Sequence, residues 1–137
     1  MRPNRLRERF DAGQAAVAGW LSFDSQYAAE TLGHAGFDAV VVDLQHGPFH
    51  VDAAIGLMQA LSATPAMPMA RSPSLDFATI NKLLGGGAWG IICPMIDTAG
   101  QARELVSACR YPPVGMRSFG PARGVLYGGP DYFEKAN

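Results

Sequence analysis

The chain has 137 residues, 48% hydrophobic and 17% charged, a composition that excludes an intrinsically disordered segment. A formal net charge of −1 and the lack of a basic stripe give nucleic-acid binding no electrostatic support. No apolar run approaches the about 20 residues of a membrane span, so no membrane partner is expected.

Arg2, Arg5, Arg7 and Arg9 form a small basic cluster before Phe10-Asp11-Ala12-Gly13. This reads as a solvated helix over residues 2–12 that ends at a glycine. No apolar stretch follows the basic start as a secretory leader would require. The two cysteines, Cys93 and Cys109, lie far apart without a CxxC motif. Both read as reduced, buried thiols of a cytoplasmic protein.

Residues 16–21 read as a first strand, and Ser25 caps a helix running to about His34. Ala39-Val40-Val41-Val42 is a continuous apolar, β-branched run, the pattern of a strand covered on both faces. Within four residues it delivers Asp43, Gln45 and His46, and Gly47-Pro48 then stops it. Asp52 is expected to cap a second helix whose apolar face holds Ala53, Ala54, Leu57, Met58, Ala60 and Leu61. Residues 66–71 make a third strand despite Pro68. Asp76 caps a third helix through Leu84, stopped by Gly85-Gly86-Gly87. Residues 89–95 form a fourth strand, with Ile91, Ile92 and Cys93 fit for burial on both sides. Thr98 caps a fourth helix through Cys109. The glycine-rich stretch 115–129 carries no strand signal and reads as a long irregular segment, and residues 131–136 begin another helix.

The order βαβαβαβα implies parallel strands joined by crossover helices in an α/β fold, one domain or part of one. Two architectures fit. One is a doubly wound open sheet, and the other is part of a TIM (β/α)8-type barrel, which needs about 250 residues. A flavodoxin-like nucleotide binder is disfavoured, because Ser22-Phe23-Asp24-Ser25 holds no glycine for a phosphate loop.

In either architecture the strand C-termini share one rim. Asp43, Gln45 and His46 reach it from the second strand, Arg71 from the third and Asp97 from the fourth. An imidazole oriented by a carboxylate is a proton shuttle, and a guanidinium suits a substrate carboxylate or a developing enolate. Together they fit proton transfer beside a 2-oxo acid. Arg71 has a second reading, an ion pair with Asp43 or Asp76. His46 and His50 have the i, i+4 spacing of a helical metal pair, but Gly47 and Pro48 between them argue against a helix. His34 reads as a solvent-facing helix end, and the triple glycine as a helix stop on the opposite rim.

Gly36-Phe37-Asp38-Ala39-Val40-Val41-Val42-Asp43-Leu44-Gln45-His46-Gly47 resembles the signature of the HpcH/HpaI aldolase/citrate lyase family. Ala70-Arg71-Ser72-Pro73, Ile91-Ile92-Cys93-Pro94-Met95 and Cys109-Arg110-Tyr111-Pro112-Pro113-Val114-Gly115-Met116-Arg117-Ser118-Phe119-Gly120 agree with it in the same order. The resemblance implies a TIM-type barrel that cleaves 4-hydroxy-2-oxo acids reversibly to pyruvate, or a related 2-oxo acid, and an aldehyde. It implies that His46 moves the proton of the 4-hydroxyl, that Asp43 orients His46, and that Arg71 grips the 2-oxo acid substrate and stabilises its enolate. It also implies a homo-oligomer, a trimer or hexamer, in which the 115–129 segment reaches toward a neighbouring subunit's site.

Two departures from the family's pattern stand out. Gln45 occupies a position where the family usually has Glu, and a neutral amide cannot act as a base. This points to altered substrate choice with Gln45 still lining the substrate. The resemblance also implies a divalent metal (Mg, Mn or Co) whose ligands are a Glu on the fifth strand and an Asp after the sixth. Those lie beyond residue 137, so no metal ligand is assigned in this chain, although Asp97 is nearest the rim. The expectation is the N-terminal half of an aldolase-type barrel, with about the first four βα units and inactive alone. The alternative is a non-catalytic, self-associating half-barrel that binds a small carboxylate.

Overall fold

The computed structural model describes residues 1–137, the side chain of Ala122 excepted. Eleven elements follow one another: α1 (Arg5–Asp11), β1 (Ala18–Leu21), α2 (Gln26–Gly33), β2 (Ala39–Asp43), α3 (Val51–Ser62), β3 (Met67–Arg71), α4 (Phe77–Gly85), β4 (Ile91–Ile92), α5 (Ala99–Cys109), α6 (Ala122–Gly128) and α7 (Tyr132–Lys135). The helix starts are chemical. Asn4, Ser25, Asp76 and Thr98 each accept a hydrogen bond from a first-turn amide with their side chains. Thr98 and Gln101 close a reciprocal capping box.

The four strands are parallel and stand in the order β1-β2-β3-β4. That order decides between the two architectures. A doubly wound sheet reverses its strand order at a switch point so that helices cover both faces. Here every right-handed crossover steps the same way, which puts α2, α3, α4 and α5 in one layer, each against the next. The sheet is a sector of a (β/α)8 barrel, as the second sequence reading has it.

Side-chain alternation divides the sheet into two faces. Val40, Val42, Leu21 and Ala70 turn toward the helices and join Ala29, Leu57, Met58, Leu61 and Leu83 in the main core. Ala39 and Met67 turn the other way and are covered by Leu6 of α1, with Met69 and Trp89 beside them. All five residues of β2 are therefore buried, and this is what its unbroken apolar run encodes.

Four expectations are corrected. His50 stands at the N-cap position of helix α3 without a side-chain cap hydrogen bond, and Asp52 lies in the first turn, where a carboxylate still favours the positive helix end. Phe49 and Ala54 both enter the main core, a staple that draws the helix start back before Asp52. Strand β4 is reduced to Ile91–Ile92, because Pro94 has no N–H to donate and Met95 adopts a left-handed φ of 58°. Ile91, Ile92, Cys93 and Cys109 are half-buried, since β4 has a strand on one side only. The 115–129 stretch is not irregular throughout. It contains α6, which packs against α4, while Arg123 donates to Gln59 Oε1 at 3.2 Å.

Candidate functional site

The strand pairing register places Asp43 directly beside Arg71 at the C-terminal ends of β2 and β3. Both lie on the face away from the helices, one layer above Val41 and Met69. On β1 the same face carries Trp20, in register with Val41, and Ser22 follows two residues later. The rim is thus built from alternate residues of three adjacent strands.

Asp43 is 2% exposed and is the hub. Its Oδ1 accepts from Arg71 Nε at 2.8 Å, and its Oδ2 accepts from Arg71 Nη2 at 2.6 Å. This is the bidentate fork that holds a guanidinium plane in one orientation. Oδ1 also accepts from the backbone amides of Gln45 (3.1 Å) and His46 (3.4 Å), and Oδ2 from Ser22 Oγ (3.4 Å). The Arg71 bonds, aided by the two amides, hold the Asp43 carboxyl below the usual carboxylate range although burial opposes them. Asp43 in turn raises the Arg71 guanidinium above its ordinary value. The pair is permanently ionised at neutral pH.

The guanidinium of Arg71 also lies 4.6 Å from the centroid of the Trp20 ring. Two of its nitrogens are committed to Asp43, and among the described residues its Nη1 has no hydrogen-bond partner. With a carboxylate on one side and an aromatic ring beside it, the guanidinium keeps Nη1 as its uncommitted donor among the described residues.

The structure brings Asp43, Gln45 and His46 into one turn of chain and sets Arg71 beside Asp43 from the next strand, with a different division of labour from the one expected. Asp43 holds the backbone of the Gln45–His46 turn, while its oxygens are spent on Arg71 and amides. Among the described residues, the His46 imidazole is exposed and has no hydrogen-bond partner. The second reading of Arg71, a pair with Asp43, is realised, and Asp76 instead caps α4. His50 sits at the start of α3, so it and His46 do not share a helix. Asp97 is exposed, with its amide bonded to Gln101 Oε1 at 2.9 Å. Among the described residues, no three His, Cys, Asp or Glu side chains gather as a metal site. Trp20 and Ser22 went unread as site residues. Their period-two alternation along β1 is the signal that could have found them.

Residues 17–135 match the family model for HpcH/HpaI aldolase/citrate lyase. The chain belongs to the HpcH/HpaI aldolase/citrate lyase family. Every rim residue lies within the matched segment. A hydroxypyruvate/pyruvate aldolase of Rhizorhabdus wittichii is 40% identical over 134 residues, covering 98% of this chain and 53% of that protein. A 4-hydroxy-2-oxo-heptane-1,7-dioate aldolase of Escherichia coli is 37% identical over 137 residues, covering 98% of this chain and 52% of that one. Among solved structures, an HpcH/HpaI aldolase/citrate lyase family protein from Burkholderia cenocepacia superposes with a TM-score of 0.88 at 31% identity, over 98% of this chain and 56% of that one. The chain spans about half the length of the curated relatives it matches.

Proposed function

We propose that this chain carries the substrate-gripping rim of a carbon–carbon lyase. The reaction is the reversible retro-aldol cleavage of a 4-hydroxy-2-oxo acid to pyruvate, or a related 2-oxo acid, and an aldehyde. The observation that supports this reading best is Arg71. It is locked by Asp43, flanked by Trp20 and left with a free donor edge at the strand-end rim.

In the cleavage, the 4-hydroxyl loses its proton and the C3–C4 bond breaks. Its electron pair passes to the 2-oxo group, giving an enolate and releasing the aldehyde. Protonation of the enolate at C3 gives the 2-oxo acid. Arg71 binds the 2-oxo carboxylate end and faces the oxygen on which the enolate charge develops. A fixed cation there needs no reorganisation as the charge appears. His46 is the mobile base that takes the hydroxyl proton and returns it in the synthetic direction. Asp43 fixes Arg71 and the backbone that carries His46. Gln45 lies beside them as a neutral donor and acceptor that contacts substrate.

The family consists of class II aldolases, generally metal-dependent. The residues described here do not fit such an ion by themselves, since no three candidate ligands converge and Asp43 is already saturated. Ligands supplied from outside these 137 residues, and assembly as a homo-oligomer, belong to the same proposal. Among the described residues no helix is long and apolar enough to cross a membrane.

The test is a coupled assay of pyruvate release from a 4-hydroxy-2-oxo acid. It uses this chain alone and this chain continued into the C-terminal half of the Rhizorhabdus wittichii relative, with Mg²⁺ or Mn²⁺ present. Release by the continued protein, abolished by Arg71→Ala, is the expected result. A folded continued protein that releases no pyruvate from any such acid, yet binds pyruvate through Arg71, would replace the lyase with the carboxylate-binding reading.

A further inference from the structure

Arg117 is 6% exposed, and its Nη2 is buried without a hydrogen-bond partner. Its guanidinium lies 4.3 Å from the centroid of the Tyr111 ring, and its backbone amide donates to the Arg110 carbonyl at 2.8 Å. The ring holds the side chain in place, and among the described residues no carboxylate neutralises it. A buried guanidinium in that state is costly, and an anion paired with it offsets the cost.

Arg117 lines a cavity of about 330 Å³, at the lower end of the about 300–1,000 Å³ of small-molecule sites. The cavity lies at the opposite rim from Arg71. Trp89 and Gly90, just before β4, form one wall, and α1 forms another, tied to the first by the bond from Asn4 Nδ2 to the Trp89 carbonyl at 3.2 Å. Helix α6 contributes Tyr127, and α7 contributes Tyr132. The charge of the lining is one-sided. Arg7, Arg110, Arg117 and Lys135 belong to it, and among the described residues no Asp or Glu does. Arg7 and Lys135 have carboxylates outside the lining, Asp11 at 3.6 Å and Asp131 at 2.7 Å. Arg110 and Arg117 have none among the described residues. Two such guanidinium groups on one cavity are the chemistry that recognises phosphate or carboxylate oxygens.

We propose that this cavity binds the oxyanionic group of a small metabolite, a phosphate ester or a carboxylate, at a site separate from the rim that holds Arg71. Arg117 is its charged anchor, Arg110 supports it, and the rings of Trp89, Tyr127 and Tyr132 face the body of the ligand. The inference does not rest on the retro-aldol reading, so either can fail without the other.

The chain has two tryptophans, Trp20 beside Arg71 and Trp89 in the cavity wall. Trp20→Phe therefore leaves one indole, whose fluorescence reports the cavity and not the rim. That protein is titrated with inorganic phosphate and, separately, with acetate at constant ionic strength. A saturable change with one of them is expected, and the anion that binds more tightly tells the ester from the carboxylate. Arg117→Met in the same background is expected to weaken binding about ten-fold or more, the effect of losing a charge-assisted hydrogen bond. Arg110→Gln alters a half-buried residue, is expected to weaken binding too, and keeps the test decisive if Arg117→Met does not fold. In the chain continued into the C-terminal half of the Rhizorhabdus wittichii relative, the saturating anion is expected to slow hydrogen exchange in the peptide spanning residues 109–117. No saturable response to either anion would overturn the proposal, as would a response indifferent to both substitutions. Unchanged exchange in the continued protein would also overturn it, because the cavity would then be taken by protein.

Discussion

Asp43 and Arg71 face each other across adjacent parallel strands and share two hydrogen bonds, 2.8 and 2.6 Å long. Only the pairing of Asp43 with Arg71 in the β2–β3 register makes this fork possible. A slip of one residue would send one partner to the helix face. Asp43→Asn keeps the shape and removes the charge, which leaves Arg71 without its counterion. Because Asp43 is buried while Arg71 keeps contact with solvent, the variant should be less stable, by less than a fully buried broken pair would lose. Urea unfolding of the two proteins at neutral pH measures it, and a difference under about 0.5 kcal/mol would show that the fork contributes little.

The same pair sets a pH dependence with a definite sign. The folded Asp43 carboxyl titrates below its unfolded value of about 3.9, chiefly because of Arg71. A depressed carboxylate contributes stability that is complete above the unfolded value and is lost as pH falls through the folded one. Asp76 and Asp131 are shifted in the same direction, so acid unfolding of the native chain reports all three. The difference between the native chain and Asp43→Asn isolates one. It should be flat from about pH 5 to 7 and shrink below about pH 4. A difference that grows on acidification would contradict the assignment.

Gly47 is required for a reason of space. A Cβ there would stand 2.3 Å from the Asp43 carbonyl oxygen and 2.5 Å from the Phe49 ring. The Gly47 amide also donates to that carbonyl at 3.1 Å, closing the turn that displays Gln45 and His46. Gly47→Ala should therefore cost about 1–3 kcal/mol, the usual range for overpacking, and should weaken pyruvate binding by displacing the turn. Gly120→Ala is the control, since nothing lies within 4 Å of a Cβ at that position. Calorimetric titration with pyruvate and thermal melts of both variants decide the point.

Local signals carried most of the architecture. Ser25, Asp76 and Thr98 cap the helices where their side chains suggested, because capping depends on residues three apart in sequence. The buried run of β2 and the rim position of Asp43, Gln45, His46 and Arg71 followed from the same local reasoning. What stayed illegible depends on partners far away in the chain. The choice of Arg71 over His46 as the partner of Asp43 is made by strand register, 28 residues apart. The shortness of β4 follows from its lack of an outer neighbour as much as from Pro94. The burial of Arg117 beneath Tyr111 arises from a loop whose glycines and prolines hide it from any periodic pattern.

His46 provides the sharpest separation between folding and chemistry. It is exposed, and among the described residues its imidazole has no hydrogen-bond partner. His46→Ala should accordingly leave stability within about 0.5 kcal/mol of the native chain. It should leave pyruvate affinity intact as well, because the carboxylate grip is proposed for Arg71 and the backbone turn is held by Asp43. In the continued protein, loss of the proposed proton carrier should lower kcat and kcat/KM together by about 10²–10⁴, the pattern of a group that acts only in the transition state. A rise in KM with kcat unchanged would instead make His46 a binding residue, and the proton would have to travel by another group at the rim. Gln45→Ala, one residue away on the same turn, provides the contrast: it should alter the choice among aldehydes while leaving cleavage of the best substrate in place.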